Sequence, residues 1–238
     1  MASLAEALAA TFLPARCATC TGVLPWRGSR AGVCAVCWSQ VAPHADRLCP
    51  TCGEGDVADY GPCLGCRAQP PVWRAATSYG PYLGVLRDLV VSLKSGRRDE
   101  LAAPLGEFLL AAWQRAGWPR PDCVVPVPMT AWRRLRRGFN QSELLARRLA
   151  IALGTESAHA LRRTGGQAQF GRTRAQRLAL PTSAFTPRKL LAGEVLLVVD
   201  VLATGATAAA CVTALLRSGA SAVRVITVAR TLRPGRIP

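Results

Sequence analysis

Eight of the ten cysteines fall before residue 67, in four C-x-x-C pairs: Cys17/Cys20, Cys34/Cys37, Cys49/Cys52 and Cys63/Cys66. Two thiolates at this spacing reach one tetrahedral Zn2+ from a single knuckle turn. The natural reading is two zinc ribbons, with the first two pairs on one ion and the last two on the other. Spacing alone also admits crossed pairing. Gly22, Gly53 and Gly65 sit at or near the knuckles, where tight turns are needed. Disulfides are the alternative, and they need an oxidising compartment. Met1 to Leu13 has no basic n-region and contains Glu6, so it does not read as a signal peptide. The expectation is structural zinc in a cytoplasmic protein. His44 lies between pairs and reads as a loop residue rather than a ligand.

The second constellation runs from Glu194 to Ala220. A continuous apolar stretch, Val195 to Val199, has the composition of a strand buried on both faces. It ends at the acid Asp200, followed by the small-residue turn Ala203-Thr204-Gly205-Ala206-Thr207 and a segment of helical composition. Gly219 stands where that helix ends, and Ala222 to Ala229 forms the next β-branched run. Such a turn lets backbone N–H groups converge on an anion, with the helix dipole adding to the attraction. The glycine spacing fits neither the P-loop nor the dinucleotide fingerprint. An acid just before the turn suits a ligand that carries hydroxyls or a metal as well as phosphate. A plain strand-to-helix turn with Thr204 as cap is the alternative.

The elements that must hold these groups can be traced in order. Gln69-Pro70-Pro71 marks a boundary between a cysteine-rich segment, 1–68, and a larger domain, 72–238. Trp73 to Tyr79 reads as a short strand. Leu83, Leu86, Val90 and Leu93 have helical spacing and carry Lys94 at their end, and a further helix is expected from Glu100 to Ala116. Cys123 to Pro128 reads as a buried strand, after which Arg133, Arg134, Arg136 and Arg137 crowd a loop before Gly138. Asn140 and Glu143 have capping-box spacing ahead of a helix with Leu145, Leu149 and Leu153, closed by Gly154. Two strand–loop–helix units predict an α/β fold whose arginine loop and Thr204–Thr207 turn open at the same C-terminal sheet edge.

Charge separates the two parts of the chain. The formal net charge is +16, and residues 122–238 carry 18 basic against 5 acidic side chains, compared with 12 against 9 in residues 1–121. All but two of the basic residues are arginine, which pairs with phosphate bidentately and stacks on bases. A GC-rich genome produces the same bias without a ligand. Even so, this surface favours nucleic acid or another polyphosphate. The apolar stretch near 201–216 is too short and too interrupted to span a membrane.

The stretch Asp200 to Thr207 resembles the phosphoribosyl-pyrophosphate (PRPP) motif of type I phosphoribosyltransferases: two acids, an apolar residue, any residue, then Thr-Thr-Gly-x-Thr. Val199 stands where the first acid would be and Ala203 where the first Thr would be. More of the chain is similar to the competence-protein F family (ComF/ComFC, with GntX as a relative). The segments that carry this are CVVPVPM, RGFNQSELLA, YGPYLGVLRDLVVSLKSGRRDELA and RRTGGQAQFGRTRAQR, with Leu180 where that family usually has Asn.

The resemblance implies a zinc ribbon joined to a Rossmann-like, mostly parallel sheet of type I phosphoribosyltransferase kind. It implies PRPP with Mg2+ on Thr204, Gly205, Ala206 and Thr207, with Asp200 on the ribose and Asn140, Gln141 and Lys94 on the ligand side. A capping role for Asn140 and a solvated helix-end position for Lys94 are the alternatives. It also implies DNA uptake in natural transformation, with single-stranded DNA on Arg133, Arg134, Arg136, Arg137, Arg162, Arg163, Arg172 and Arg174, and a helicase among the protein partners. The segment from Arg162 to Arg177 reads as a mobile hood or a DNA-contacting arm. A catalytically active phosphoribosyltransferase with an unidentified nucleobase or nucleotide-related acceptor is the other function the resemblance allows.

Overall fold

Apolar runs that alternate with helices bury best as parallel strands covered on both faces. A computed structural model describes residues 15–24, 29–44, 47–55, 61–95, 98–164 and 184–232. Its strands are β1 (Ala75–Pro81), β2 (Cys123–Pro126), β3 (Glu156–Ser157), β4 (Leu161–Arg163), β5 (Phe185–Pro187), β6 (Glu194–Leu202) and β7 (Ala222–Arg230). Five of them form one parallel sheet in the order β1-β7-β6-β2-β3, while β4 and β5 make a separate antiparallel pair. The helices are α1 (Ala35–Ser39), α2 (Leu64–Ala68), α3 (Gly84–Ser95), α4 (Ala102–Ala116), α5 (Ala131–Arg137), α6 (Gln141–Leu153) and α7 (Ala206–Arg217). The α/β expectation is met. Among the described residues no helix is long and apolar enough to cross a membrane.

Strand alternation divides the core in two. Leu196 and Val198 of β6, with Val124, Ile226 and Val228, pack under leucines of α3, α4 and α6. Val195, Leu197 and Val199, with Val125 and Val223, pack under Cys211, Val212 and Leu215 of α7 and against Phe185. Asp200 continues the even-numbered series and so lies on the α3–α6 side. Helices α4 and α6 approach closely at Gly106, where a Cβ would come 2.8 Å from the Cβ of Arg148.

Boundaries shift by a residue or two from the pattern. The first strand begins at Ala75 rather than Trp73, and a 3-10 turn, Asp99–Leu101, precedes α4. Strand β2 stops at Pro126, after which Val127 makes one more bond to the Val198 carbonyl (3.1 Å) and Pro128 has no N–H to give.

The cysteine-rich segment is docked on the sheet. Cys17, Leu24, Val33 and Cys37 belong to the same buried cluster as the α3 and α4 leucines. Residues 42–44 lie along the outer edge of β1: the His44 N–H donates to the Tyr79 carbonyl at 2.9 Å, and His44 Nε2 meets Ser78 Oγ at 2.8 Å. Further on, Arg230 at the end of β7 forms a buried ion pair with Glu54, 3.2 Å apart.

Burial first, then the positive charges of Arg115 and Arg230, lower the His44 imidazole from its ordinary 6.5 to about 4. The folded state therefore holds His44 neutral while the unfolded chain takes up a proton as pH falls below 6.5, so its contribution is present above that pH and lost on the way down to about 4. Stability measured by urea unfolding is expected to fall between pH 7 and pH 5 by about 1 kcal/mol on this account, allowing for solvent screening at the ring's open side. His44→Gln should remove that part of the slope. A variant slope equal to that of the wild type would refute the assignment.

Candidate functional site

The cysteine sulfurs gather in two groups. Those of Cys17, Cys20, Cys34 and Cys37 lie within 4.8 Å of one another, as do those of Cys49, Cys52, Cys63 and Cys66. Pairing is sequential, not crossed. Cys17–Cys37, Cys20–Cys34 and Cys52–Cys63 are each 3.8 Å apart. That is the edge of a tetrahedron with bonds of about 2.3 Å, the Zn–S length. Backbone N–H groups point at the sulfurs: Cys34 to Cys17 (3.4 Å), Cys37 to Cys34 (3.4 Å) and Cys63 to Cys49 (3.2 Å).

Burial raises the Cys17 thiol, but the N–H groups of Cys34, Cys20 and Thr19 outweigh it and bring it to about 6. The same balance takes Cys49 to about 7. Burial and neighbouring thiols push Cys37 up to about 12, and burial holds Cys52 at about 11 against the pull of Arg230. Four thiols in so small a space do not ionise together unless a divalent cation is among them, so the donor sets fit zinc. His44 belongs to neither group.

At the C-terminal end of β6 the Asp200 carboxylate is held from three directions. Lys94 Nζ at the end of α3 lies 3.2 Å from Oδ2. Gln141 Nε2 on the first residue of α6 donates to the same oxygen at 3.2 Å, and the Val201 N–H donates to Oδ1 at 2.7 Å. Lys94 therefore faces the acid rather than solvent. Gln141 is only 4% exposed, and its buried Oε1 finds no hydrogen-bond partner among the described residues. A buried carbonyl left unpaired is costly, and a donor from a ligand or its water would settle it.

The turn after β6 leads directly into α7. Gly205 is its N-cap at φ +83°, a conformation that favours glycine, and it supplies no capping side chain. Thr204 Oγ1 accepts from the Ala206 N–H at a long 3.4 Å, so it caps only weakly. The first-turn amides of α7 thus face the space beyond the sheet edge, close to Asp200 in sequence and in the fold. Asn140 is committed elsewhere: its Nδ2 donates to the Val127 carbonyl (3.1 Å) and its Oδ1 accepts from the Ser142 N–H (3.2 Å). It caps α6 and ties it to the end of β2.

Two expectations around the arginines need correcting. Arg133, Arg134, Arg136 and Arg137 do not lie in a loop but on α5, which starts where Thr130 accepts from the Arg133 N–H and ends at Gly138. Glu143 does not close a capping box; it pairs with Arg134 (3.3 Å) and approaches His159 Nε2 (3.6 Å). Helix α5 buries nothing, and Trp132 and Leu135 on it are 70% and 79% exposed. Arg162 and Arg163 fall on β4, with Arg163 stacked 5.4 Å from the Phe185 ring centroid. Burial and then the Arg133 charge push the Arg163 guanidinium down from its ordinary value. Arg172 and Arg174 lie outside the described residues, as does most of the expected hood.

Between α5, the start of α6 and the β4–β5 pair lies a cleft of about 310 Å3. Pro126, Pro128, Met129 and Leu161 form its apolar wall, and Arg134, Arg162, Arg163 and Arg188 its cationic one, with His159 and Glu143 between them. It opens over the end of β2, beside β6 and Asp200 in the sheet. Arg188 and His159 were not legible as site residues: the bond from the Arg188 N–H to the Ala160 carbonyl (2.8 Å), alongside the β4–β5 pairing, is what brings them in.

A family model described as a double zinc ribbon domain matches residues 8–67. DNA utilization protein YhgH of Salmonella typhi is 36% identical over 235 residues, covering 92% of this chain and 99% of the relative. Competence protein ComFC of Bacillus subtilis (strain 168) is 25% identical over 201 residues, covering 80% of each. A solved glutamine phosphoribosylpyrophosphate amidotransferase from B. subtilis aligns with 57% of this chain and 26% of its own, at 24% identity and a TM-score of 0.37.

Metal analysis of the purified protein should return two zinc ions per chain, one for each four-cysteine set. Cys20→Ser, at the one exposed cysteine of the first set, should lower the count to one and reduce the melting temperature. A metal-free protein with an unchanged melting temperature would overturn the structural-zinc assignment.

Proposed function

The chain belongs to the YhgH/ComF family, and on that premise we propose that it handles DNA, binding single-stranded DNA on its arginine surface and PRPP with Mg2+ at Asp200–Thr207. The observation that carries the PRPP half is the Asp200 carboxylate, held by Lys94 and Gln141 beside the weakly capped first turn of α7. The first-turn amides suit the 5′-phosphate, and Asp200 suits the ribose hydroxyls. Lys94, already at the carboxylate, offers a cation to the pyrophosphate, and the orphan Gln141 Oε1 offers an acceptor to a hydroxyl or a metal-bound water. Bound Mg2+ would neutralise charge on the pyrophosphate.

The family motif's other acid is missing, and Val199 at its position is turned into the core beneath α7, 5% exposed. One acid on the ribose supports binding more than turnover. For DNA, α5 supplies phosphate-pairing arginines with an exposed Trp132 among them, the mixture that tracks a strand and stacks its bases.

A second reading, a working phosphoribosyltransferase, draws on the cleft. Its apolar and cationic walls suit a nucleotide-like acceptor, and the Glu143–His159 pair is a candidate proton acceptor. Release of pyrophosphate with a nucleotide acceptor would favour this reading; none across an acceptor panel would leave PRPP as a ligand only.

PRPP with Mg2+ at ~100 times its dissociation constant should stabilise the protein by about 2.7 kcal/mol, and Asp200→Asn should shrink the shift. No shift in either protein would refute the PRPP site. Oligonucleotide affinity should fall about 50-fold from 50 to 200 mM salt if roughly four phosphates are neutralised. Replacing Arg133 and Arg136 by Gln should flatten the salt slope by about 1.4. Binding that ignores salt would sink the single-strand assignment.

A further inference from the structure

Trp73 is 8% exposed and sits at the start of the larger domain, between the second cysteine cluster and the turn before α7. Its indole Nε1 donates to the Thr51 carbonyl at 2.8 Å. Thr51 lies inside the Cys49–Cys52 knuckle, and its N–H is among the backbone groups that draw the Cys49 thiol down. The far edge of the same ring packs on Gly205, where a Cβ would come 2.8 Å from Cη2. One side chain therefore touches a metal knuckle at one end and the N-cap of α7 at the other.

Two more contacts converge on the same place. Gly53 packs against the backbone of Ala76 and Thr77 on β1, with a Cβ position 3.0 Å from the Ala76 carbonyl oxygen. Glu54, next in the chain, makes the buried pair with Arg230. Arg230 is the register partner of Leu202, and the Thr231 N–H donates to the Leu202 carbonyl at 3.2 Å. Leu202 is the last residue of β6 before the turn. The second knuckle thus braces the turn from behind through the Trp73 ring and at its root through Arg230.

The first cluster is held differently. It packs on α3 and α4, and its own indole bond, from Trp38 Nε1 to the Arg30 carbonyl at 2.9 Å, stays within the first ribbon.

We propose that Trp73 is a positioning residue that sets the anion-binding turn Ala203–Thr207 on the Cys49–Cys66 knuckles, so that anion affinity depends on the second metal cluster and not on the first. This rests on the reading of that turn as the PRPP phosphate site. The coupling is mechanical: the turn's amides converge on a phosphate only while Gly205 is pressed into its left-handed conformation, and the Trp73 ring is what occupies the space behind it.

The test compares the dissociation constant for Mg2+-PRPP, measured calorimetrically, in the full-length zinc-loaded protein and three variants. Trp73→Phe loses the bond to Thr51 and the outer ring atoms that reach Gly205 but keeps an aromatic ring in the pocket, and should weaken binding about threefold. Trp73→Ala removes both contacts and should weaken it by roughly tenfold or more. Trp38→Phe breaks the matching indole bond on the first ribbon and should leave the constant unchanged.

Wild-type affinity in both Trp73 variants overturns the proposal, and so does an equal loss in Trp38→Phe, which marks a general destabilisation. If wild type itself does not bind PRPP, the reading of the turn fails, and hydrogen exchange then tests the brace alone. Trp73→Phe should speed exchange of the Ala209 amide, which donates to the Gly205 carbonyl at 2.8 Å, while leaving those of β2 protected. Unchanged exchange there overturns the brace as well.

Discussion

A carboxylate at the end of a buried strand must be compensated where it stands. Asp200 emerges from the central strand of the sheet onto the side covered by α3 and α6. Its compensation comes from the last turn of one of those helices and the first residue of the other. Lys94 reaches back along α3, while Gln141 is pinned because Asn140 before it caps α6 and grips Val127. The leucine layers of α3 and α6 therefore do more than fill space: they fix the two helix ends whose side chains meet one oxygen. Removing the acid would leave a lysine and a buried amide facing each other without a partner, the costly half of an interrupted network.

Much of this was legible in the residues and some was not, for physical reasons. The cysteine spacing specified both metal sets, and sulfur geometry then chose sequential over crossed pairing. The run Val195–Val199 ending in an acid was readable as a buried strand because both of its faces are apolar. Helix α5 was missed because hydrophobic period shows only helices that bury a face, and α5 buries nothing; its remaining marks were the Thr130 cap and the closing Gly138. Glu143 fitted a capping box by spacing, yet its carboxylate went to Arg134 and His159, partners that the spacing could not show. Trp73 was invisible as a site residue, because its partners lie 22 residues before it and more than a hundred after it.

The charged and the apolar are mixed on α5 in a way that cores and ordinary surfaces avoid. A seven-residue helix with four arginines and two large exposed apolar side chains gains nothing from its own packing. On the proposed reading it is a contact surface, with cations for a phosphate chain and an indole for a stacked base. The neighbouring cleft repeats the combination in concave form, with arginines facing a proline- and methionine-lined wall.

The two borders of the sheet are treated very differently. At one end β3 is two residues long and offers little for another strand to pair with. At the other, β1 is seven residues long, and residues 42–44 lie along its outer edge, where the His44 N–H donates to the Tyr79 carbonyl. Residues 42–44 belong to no helix or strand, and the chain on either side leads into one of the two cysteine sets. Loss of metal would therefore uncover a long strand edge, a template on which other chains add strands. The two metal sets would in that case bear on self-association as well as on folding.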